Sequence, residues 1–294
     1  LVKDAMDIPV FTMDPNYVFE DGNGLNPLLQ NYWMVIHPPT LFLGFATTTV
    51  PFAYAFSSLW LRNYKDWLQP ALSWTLFSLA ILGTGVMMGG AWAYEALSFG
   101  GFWAWDPVEN ASLVPWLVMA AGLHTTLAYK RTGYSLIPTY GFLMGGMLFV
   151  LYSSFMTKSG VLGDSSVHSF TDMGMSAQLI ISIAVFLIPA SWLLAKRYKE
   201  IPGRKDEESV SSREFWLFIG SLVFLVSALH IIIFTSFPVI NNVIGSNIAP
   251  PDADHYNSVE IWIAIMLAIG SAVTQFFAYK KSNVSKVLKV IIST

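Results

Sequence analysis

With 294 residues, 54% of them hydrophobic and 12% charged, the chain carries far less charge than the roughly 25% of a soluble domain, and it reads as a polytopic membrane protein. A net charge of −3 gives no footing for a nucleic-acid partner, and a sequence without cysteine has no disulfide, thiolate metal site or cysteine nucleophile. It opens on Leu1 with no visible signal peptide, as a trimmed chain or a piece of a longer one would.

Residues 1–28 are polar and acidic, with Asp4, Asp7, Asp14, Glu20 and Asp21, and are expected to form an external segment. Seven apolar runs follow, near 39–60, 70–92, 110–129, 135–156, 176–195, 214–237 and 258–279, each long enough to cross about 30 Å of hydrocarbon as a helix. The expected fold is all-α: a polytopic helical membrane protein of about seven transmembrane helices over residues 29–280, with a Trp-rich external loop at 99–116 and a cytoplasmic tail at 281–294. Fourteen of the sixteen Lys and Arg fall in alternate connections and in the tail, and only Lys3 and Lys158 fall on the other side. The positive-inside rule assigns the fourteen to the cytoplasm, so the Trp-rich loop and the loops at 157–175 and 238–257 are expected to face outward. Gly85 and Gly89, and likewise Gly141 and Gly145, stand four apart within their runs, which predicts two small-residue faces where helix backbones approach closely.

The stretch Phe99 to Trp116, FGGFWAWDPVENASLVPW, gathers Phe99, Phe102, Trp103, Trp105 and Trp116 around Asp106, Glu109 and Asn110, with no Lys, Arg or His. Trp and Tyr commonly anchor a chain at the membrane surface. A flat apolar shelf of indoles beside a few fixed polar groups also suits a large planar ligand with one polar edge. Asp106-Pro107-Val108-Glu109 predicts a helix start, with Asp as N-cap, Pro at the first helical position and Glu three after the cap. In those positions the two carboxylates are read as structural rather than as an acid/base pair.

Five histidines are placed unevenly. His37, before Pro38-Pro39, and His168, in VLGDSSVHSFTD, bracket the Trp-rich loop on the outward side; His255 lies in the outer loop PPDADHYN; His124 and His230 lie inside spans. Two axial imidazoles suffice to hold a haem iron. The placement of His37 and His168 suggests a porphyrin on the aromatic shelf with a histidine on each face, or else two interfacial histidines bonded to backbone. An ionisable residue within a span is a functional candidate, which singles out His124 and His230. His124 stands six residues from Lys130 and His230 seventeen from Arg213, about 9 Å and 25 Å from the basic end, so the two are not expected to share one haem. His255 is expected to be a solvated loop residue. There is no HExxH pair or other zinc spacing, and the glycine clusters GVMMGG and GFLMGG lie within apolar runs, where no phosphate loop sits.

Four segments together give the chain a strong resemblance to the haem-handling cytochrome c assembly family of the CcmF/NrfE/CcsA type. GLNPLLQNYWMVIHPPTLFLGF (24–45) is similar to that family's first external-histidine motif, and GGFWAWDPVENASLVPWL (100–117) to its Trp-rich WWD motif. LHTTLAYKR (123–131) is similar to its membrane-histidine segment, and SGVLGDSSVHSFTD (159–172) to its second external-histidine motif. The resemblance implies that His37 and His168 are axial ligands of haem on the external face, with Trp103, Trp105, Asp106, Pro107, Glu109 and Asn110 forming the surface that presents it. It implies that His124 corresponds to a membrane histidine holding a second, b-type haem, although no residue here matches the motif of that haem's other ligand. It further implies a multi-pass protein of a bacterial-type inner membrane with its haem site facing the periplasm. Its partners would be apocytochrome c, haem-delivery proteins and thiol-reducing proteins, and its reaction the joining of haem vinyls to the thiols of CxxCH. The rival reading is a membrane electron-transfer or transport subunit that keeps its haem.

Overall fold

The structure, a computed structural model, describes residues 27–96, 101–163, 166, 174–203, 209–279, 281–283, 285, 287 and 289, and among these it contains helices and no strand. A bent pair comes first, α1 (Tyr32–Thr47) and α2 (Thr49–Leu61). Six helices long and apolar enough to cross a membrane follow among the described residues: α3 (Leu68–Ala96), α4 (Pro107–Thr132), α5 (Leu136–Lys158), α6 (Ser176–Arg197), α7 (Arg213–Thr235) and, beyond the short α8 (Phe237–Ile244), α9 (Ala253–Thr274). The run expected at 39–60 is the bent pair. Pro51 has no amide to offer the Thr47 carbonyl, and Thr47 and Thr48 turn their hydroxyls onto the carbonyls of Gly44 and Phe45 at 2.8 and 2.7 Å, so the helix breaks at Thr48.

The start of that run needs correction. The Pro38-Pro39 pair suggests a helix beginning there, with His37 on its threshold. Instead Asn31 caps α1, its side chain accepting from the Trp33 amide at 2.8 Å, and His37, Pro38 and Pro39 all lie inside the helix. The loop expected over 238–257 is also partly helical, since α8 fills 237–244 and α9 starts at Ala253, capped by Asp252.

Glycine sets the α1–α3 seam. A Cβ on Gly44 would lie 2.6 Å from Leu82 Cα, and one on Gly85 would lie 2.8 Å from Leu41 Cα, so backbone meets backbone. The second predicted seam does not form: a Cβ on Gly141 would meet nothing within 4 Å and one on Gly145 only Val118 at 3.4 Å. On α5 the close approach is at Gly146, against the Met119 side chain. A spacing of four defines a face but not which neighbour covers it. Gly44→Ala is therefore expected to lower the stability of the detergent-solubilised chain by about 1–3 kcal/mol, while Gly141→Ala leaves the thermal midpoint unchanged.

At the centre stands α4, packed against α3, α5 and α7. Its mean hydropathy of 1.4 is the lowest of the six spans, yet 72% of its apolar window is buried against 6% for α9. Small residues make this possible: Ala111, Ala120, Ala121, Gly122, Thr125, Thr126 and Ala128 are all buried, and both threonine hydroxyls return to the Gly122 carbonyl.

The two ends of the bundle differ in charge. At one end Glu200 accepts from Arg197 at 3.0 Å and from the Tyr64 hydroxyl at 3.1 Å, with Arg62 at 3.5 Å. The Arg197 hydrogen bond holds the Glu200 carboxyl below its usual range. Arg131 and Arg213 lie over the Tyr279 ring at the same end. Connections that the charge alternation puts on one side thus touch one another. The other end carries the Trp-rich loop.

Candidate functional site

Asp106 and Glu109 form the predicted capping box. Asp106 Oδ2 accepts from the Val108 amide at 2.9 Å, and Glu109 Oε2 accepts from the Asp106 amide at 3.1 Å and the Ala104 amide at 3.0 Å. The box satisfies the start of α4 and clamps the strand of loop before it, with Pro107 at the first helical position. Ser166, two positions before His168 in the sequence, donates to Asp106 Oδ2 at 2.8 Å. His168 itself, like Phe99 and Gly100, lies outside the described residues.

Trp105 adopts φ +57, a conformation strongly disfavoured for a bulky side chain. Three contacts hold it there. Its ring stacks on Tyr256 (centroids 5.1 Å, interplanar angle 12°), its Nε1 donates to Asn257 at 2.8 Å, and its carbonyl accepts from Asn110 Nδ2 at 3.0 Å. Asn110 is fully buried and also donates to Thr235 Oγ1 at 3.0 Å, tying the loop to α7. The flat shelf expected from the sequence is not what forms. Trp103 meets Trp105 at 87°, and Trp116 lies inside the bundle, donating to the Leu79 carbonyl where Gly83 leaves it room. Aromatic count alone does not set ring orientation; the left-handed turn at Trp105 does.

Beside Trp103 is a groove of about 80 Å³ lined by His37, Gly89, Trp92, Trp103, Glu109 and others. His37 Nδ1 lies 2.8 Å from the Gly85 carbonyl, so it donates there and the ring lone pair is on Nε2. A Cβ on Gly89 would lie 2.8 Å from His37 Cε1, and one on Gly90 would meet the Phe102 ring. The glycine face of α3 thus gives His37 and the loop their room. The Trp103 indole N–H is buried and has no hydrogen-bond partner. An imidazole lone pair, an indole face and an unused donor fit a planar metallated macrocycle with acidic groups at its edge.

A larger cavity, about 350 Å³, lies between α7 and α9 and is lined by His124, Trp216, Gly220, Phe224, Met266, Gly270 and further residues that are apolar apart from Ser271 and Thr274. His124 Nδ1 donates to the Ala120 carbonyl at 2.8 Å, again leaving the lone pair on Nε2, and its ring lies 5.3 Å from that of Phe224. In this lining His124 and Met266 carry the atom types that ligate haem iron. Gly220, beside His124, precedes His230 by ten residues of α7, or about 15 Å. The depth difference expected from residue counting is therefore present, and His230 lies away from this cavity.

The sequence reading missed where His230 and His255 sit. His255 is not a solvated loop residue: it lies in the first turn of α9, half-buried, with its Nε2 3.3 Å from His230 Nε2. His230 Nδ1 donates to Glu260 at 2.8 Å, and Glu260 Oε2 accepts from Ser227 at 2.6 Å. Glu260 was the available signal, a carboxylate inside an apolar run. Among the described residues no group of three or more His, Asp and Glu is arranged around a metal position.

These features define a polytopic helical membrane protein with histidines in a tryptophan-capped groove and in a largely apolar cavity. Comparison with known proteins makes this specific: residues 8–163 match the model of the cytochrome c assembly protein family, and the chain belongs to that family. It is 32% identical over 269 residues to the cytochrome c-type biogenesis protein CcmF of Pseudomonas fluorescens, covering 90% of this chain and 40% of that one. It is 30% identical over 283 residues to CcmF of Escherichia coli K12, covering 95% and 43%. A solved structure of the cytochrome c haem lyase CcmF superposes with a TM-score of 0.68 at 26% identity, covering 86% of this chain and 38% of that chain. The chain thus spans about two fifths of the length of these relatives.

Proposed function

We propose that this chain acts in cytochrome c biogenesis, holding haem in the tryptophan-end groove and presenting it to apocytochrome c for thioether attachment. The observation that carries this is the meeting in one groove of the His37 imidazole, held by Nδ1 on the Gly85 carbonyl, with the Trp103 ring and its buried, unpartnered indole N–H. On this reading, which the family resemblance supports, His168 is the second external ligand and this end faces the periplasm from an inner membrane. Haem-delivery and thiol-reducing proteins are partners on the same reading.

Haem, when bound, supplies the iron to be ligated and the vinyl groups to which thiols add. The protein's part is orientation. Gly85 fixes the His37 tautomer and aims Nε2, Trp103 offers an apolar face and an N–H for a carboxylate, and the Asp106–Glu109 capping box with Asn110 keeps the loop in register with α4. His124 would hold a second haem in the α7–α9 cavity.

Absorption spectra and pyridine-haemochrome content of the purified chain test this. His37→Ala and His168→Ala are expected to lose haem or shift its spectrum, with transfer to a CxxCH peptide lost as well. His124→Ala is expected to remove a separate component. If only His124→Ala changes the spectrum, the haem is a resident membrane cofactor and the electron-transfer reading replaces this one.

A further inference from the structure

We infer that His230 and His255 form a metal site, a two-imidazole chelate for a borderline divalent cation such as Zn²⁺ or Cu²⁺, braced by Glu260. The inference does not rest on the haem reading. The two Nε2 atoms are 3.3 Å apart while the ring centroids are 5.3 Å apart, so the rings meet by their nitrogen edges and spread away from each other. That separation is that of a hydrogen bond, from His255 Nε2–H to His230 Nε2 once His230 Nδ1 donates to Glu260. It equals the spacing of two adjacent ligands on a tetrahedral ion, about 3.3–3.4 Å for metal–nitrogen bonds of about 2.0–2.1 Å. Two axial ligands of one haem stand on opposite faces, about 4 Å apart with the macrocycle between them, so this pair does not bracket a porphyrin.

The surroundings match a metal-binding histidine. His230 donates Nδ1–H to Glu260 at 2.8 Å, which sets the lone pair on Nε2, facing His255. Ser227 donates in turn to the other Glu260 oxygen at 2.6 Å. A ligating imidazole buttressed by a carboxylate, itself hydrogen-bonded, is the usual arrangement behind zinc and copper histidines. Imidazole nitrogens favour Cu²⁺, Ni²⁺ and Zn²⁺ over hard cations. With two protein ligands, the remaining positions fall to water or to a donor from outside. The site joins α7 to α9 directly under the tryptophan end: Tyr256, next to His255, carries the Trp105 stack. Occupancy would pin the base of the loop.

The test is calorimetric titration of the full chain, purified in detergent without a histidine tag, with Zn²⁺, and copper electron paramagnetic resonance on the same samples. Wild type is expected to bind one equivalent saturably, with two nitrogen couplings in the copper spectrum. Glu260→Gln is expected to weaken binding about 10–100-fold, and His255→Ala to weaken it further than Glu260→Gln does, since it removes a ligand rather than a brace. Circular dichroism checks the helix content of each variant, and half-buried His255 keeps the test open if His230→Ala does not fold. Wild type without saturable binding, or a site unchanged in both His255→Ala and Glu260→Gln, overturns the inference.

Discussion

Asn110→Leu is expected to detach the Trp-rich loop from the bundle, lowering stability by about 2–4 kcal/mol and, on the proposed reading, removing haem from the tryptophan end. The side chain is fully buried and makes two donations, to the Trp105 carbonyl and to Thr235 Oγ1, each at 3.0 Å. Leucine fills the space and returns neither bond. A buried acceptor left without its partner costs about 1–3 kcal/mol, which applies to the Trp105 carbonyl, and the lost bond to Thr235 Oγ1, which keeps the Tyr256 hydroxyl at 3.2 Å, adds about 1 kcal/mol. Trp105 adds to the effect. Its φ of +57 is sparsely populated and persists because the Asn110 bond, the Tyr256 stack and the Asn257 bond over-determine it. With the first of these gone the turn relaxes, and Trp103 leaves the His37 groove. Thr235→Val separates the two consequences. It removes one acceptor from Asn110 but leaves the Trp105 bond, so it is expected to lower the thermal midpoint by less and to keep the haem spectrum. Equal haem loss in both variants would mean that global stability, not the geometry at Trp105, controls the site.

Periodicity and charge made most of the fold legible. The runs predicted over 70–92, 110–129 and 176–195 lie within α3, α4 and α6, and that over 135–156 begins on the N-cap of α5, because long apolar runs bounded by charge leave few alternatives. The capping box was readable residue by residue, since its chemistry is local. What escaped was set by contacts between distant elements. The helix start at Tyr32 depends on Asn31 outcompeting a Pro-Pro signal six residues on. The idle glycine at 141 reflects which face of α5 meets α4, and the His230–His255–Glu260 cluster needs α7 and α9 side by side. Motif and periodicity carry no information about such juxtapositions until a fold supplies them.

The glycines of α3 allow the His37 assignment to be tested without touching His37. Gly89→Val is expected to abolish haem binding at the tryptophan end while leaving the fold nearly intact. A Cβ at Gly89 would sit 2.8 Å from Cε1 and 3.2 Å from Nε2, and the ring cannot simply swing aside, because Nδ1 is held on the Gly85 carbonyl. It must either give up that bond, and with it the tautomer, or rotate Nε2 out of the groove. Gly89→Ala, with one added carbon instead of three, is expected to give an intermediate loss. Gly85→Ala is the informative contrast, four residues away on the same helix. There the added carbon would meet Leu41 Cα at 2.8 Å, which is backbone, so it separates α1 from α3 and appears as a lower thermal midpoint. Haemochrome content and thermal unfolding, measured side by side, should thus change in opposite proportion for the two glycines. If Gly89→Val keeps the wild-type haem content and reduced spectrum, His37 does not ligate haem, because no displaced imidazole would leave both unaltered.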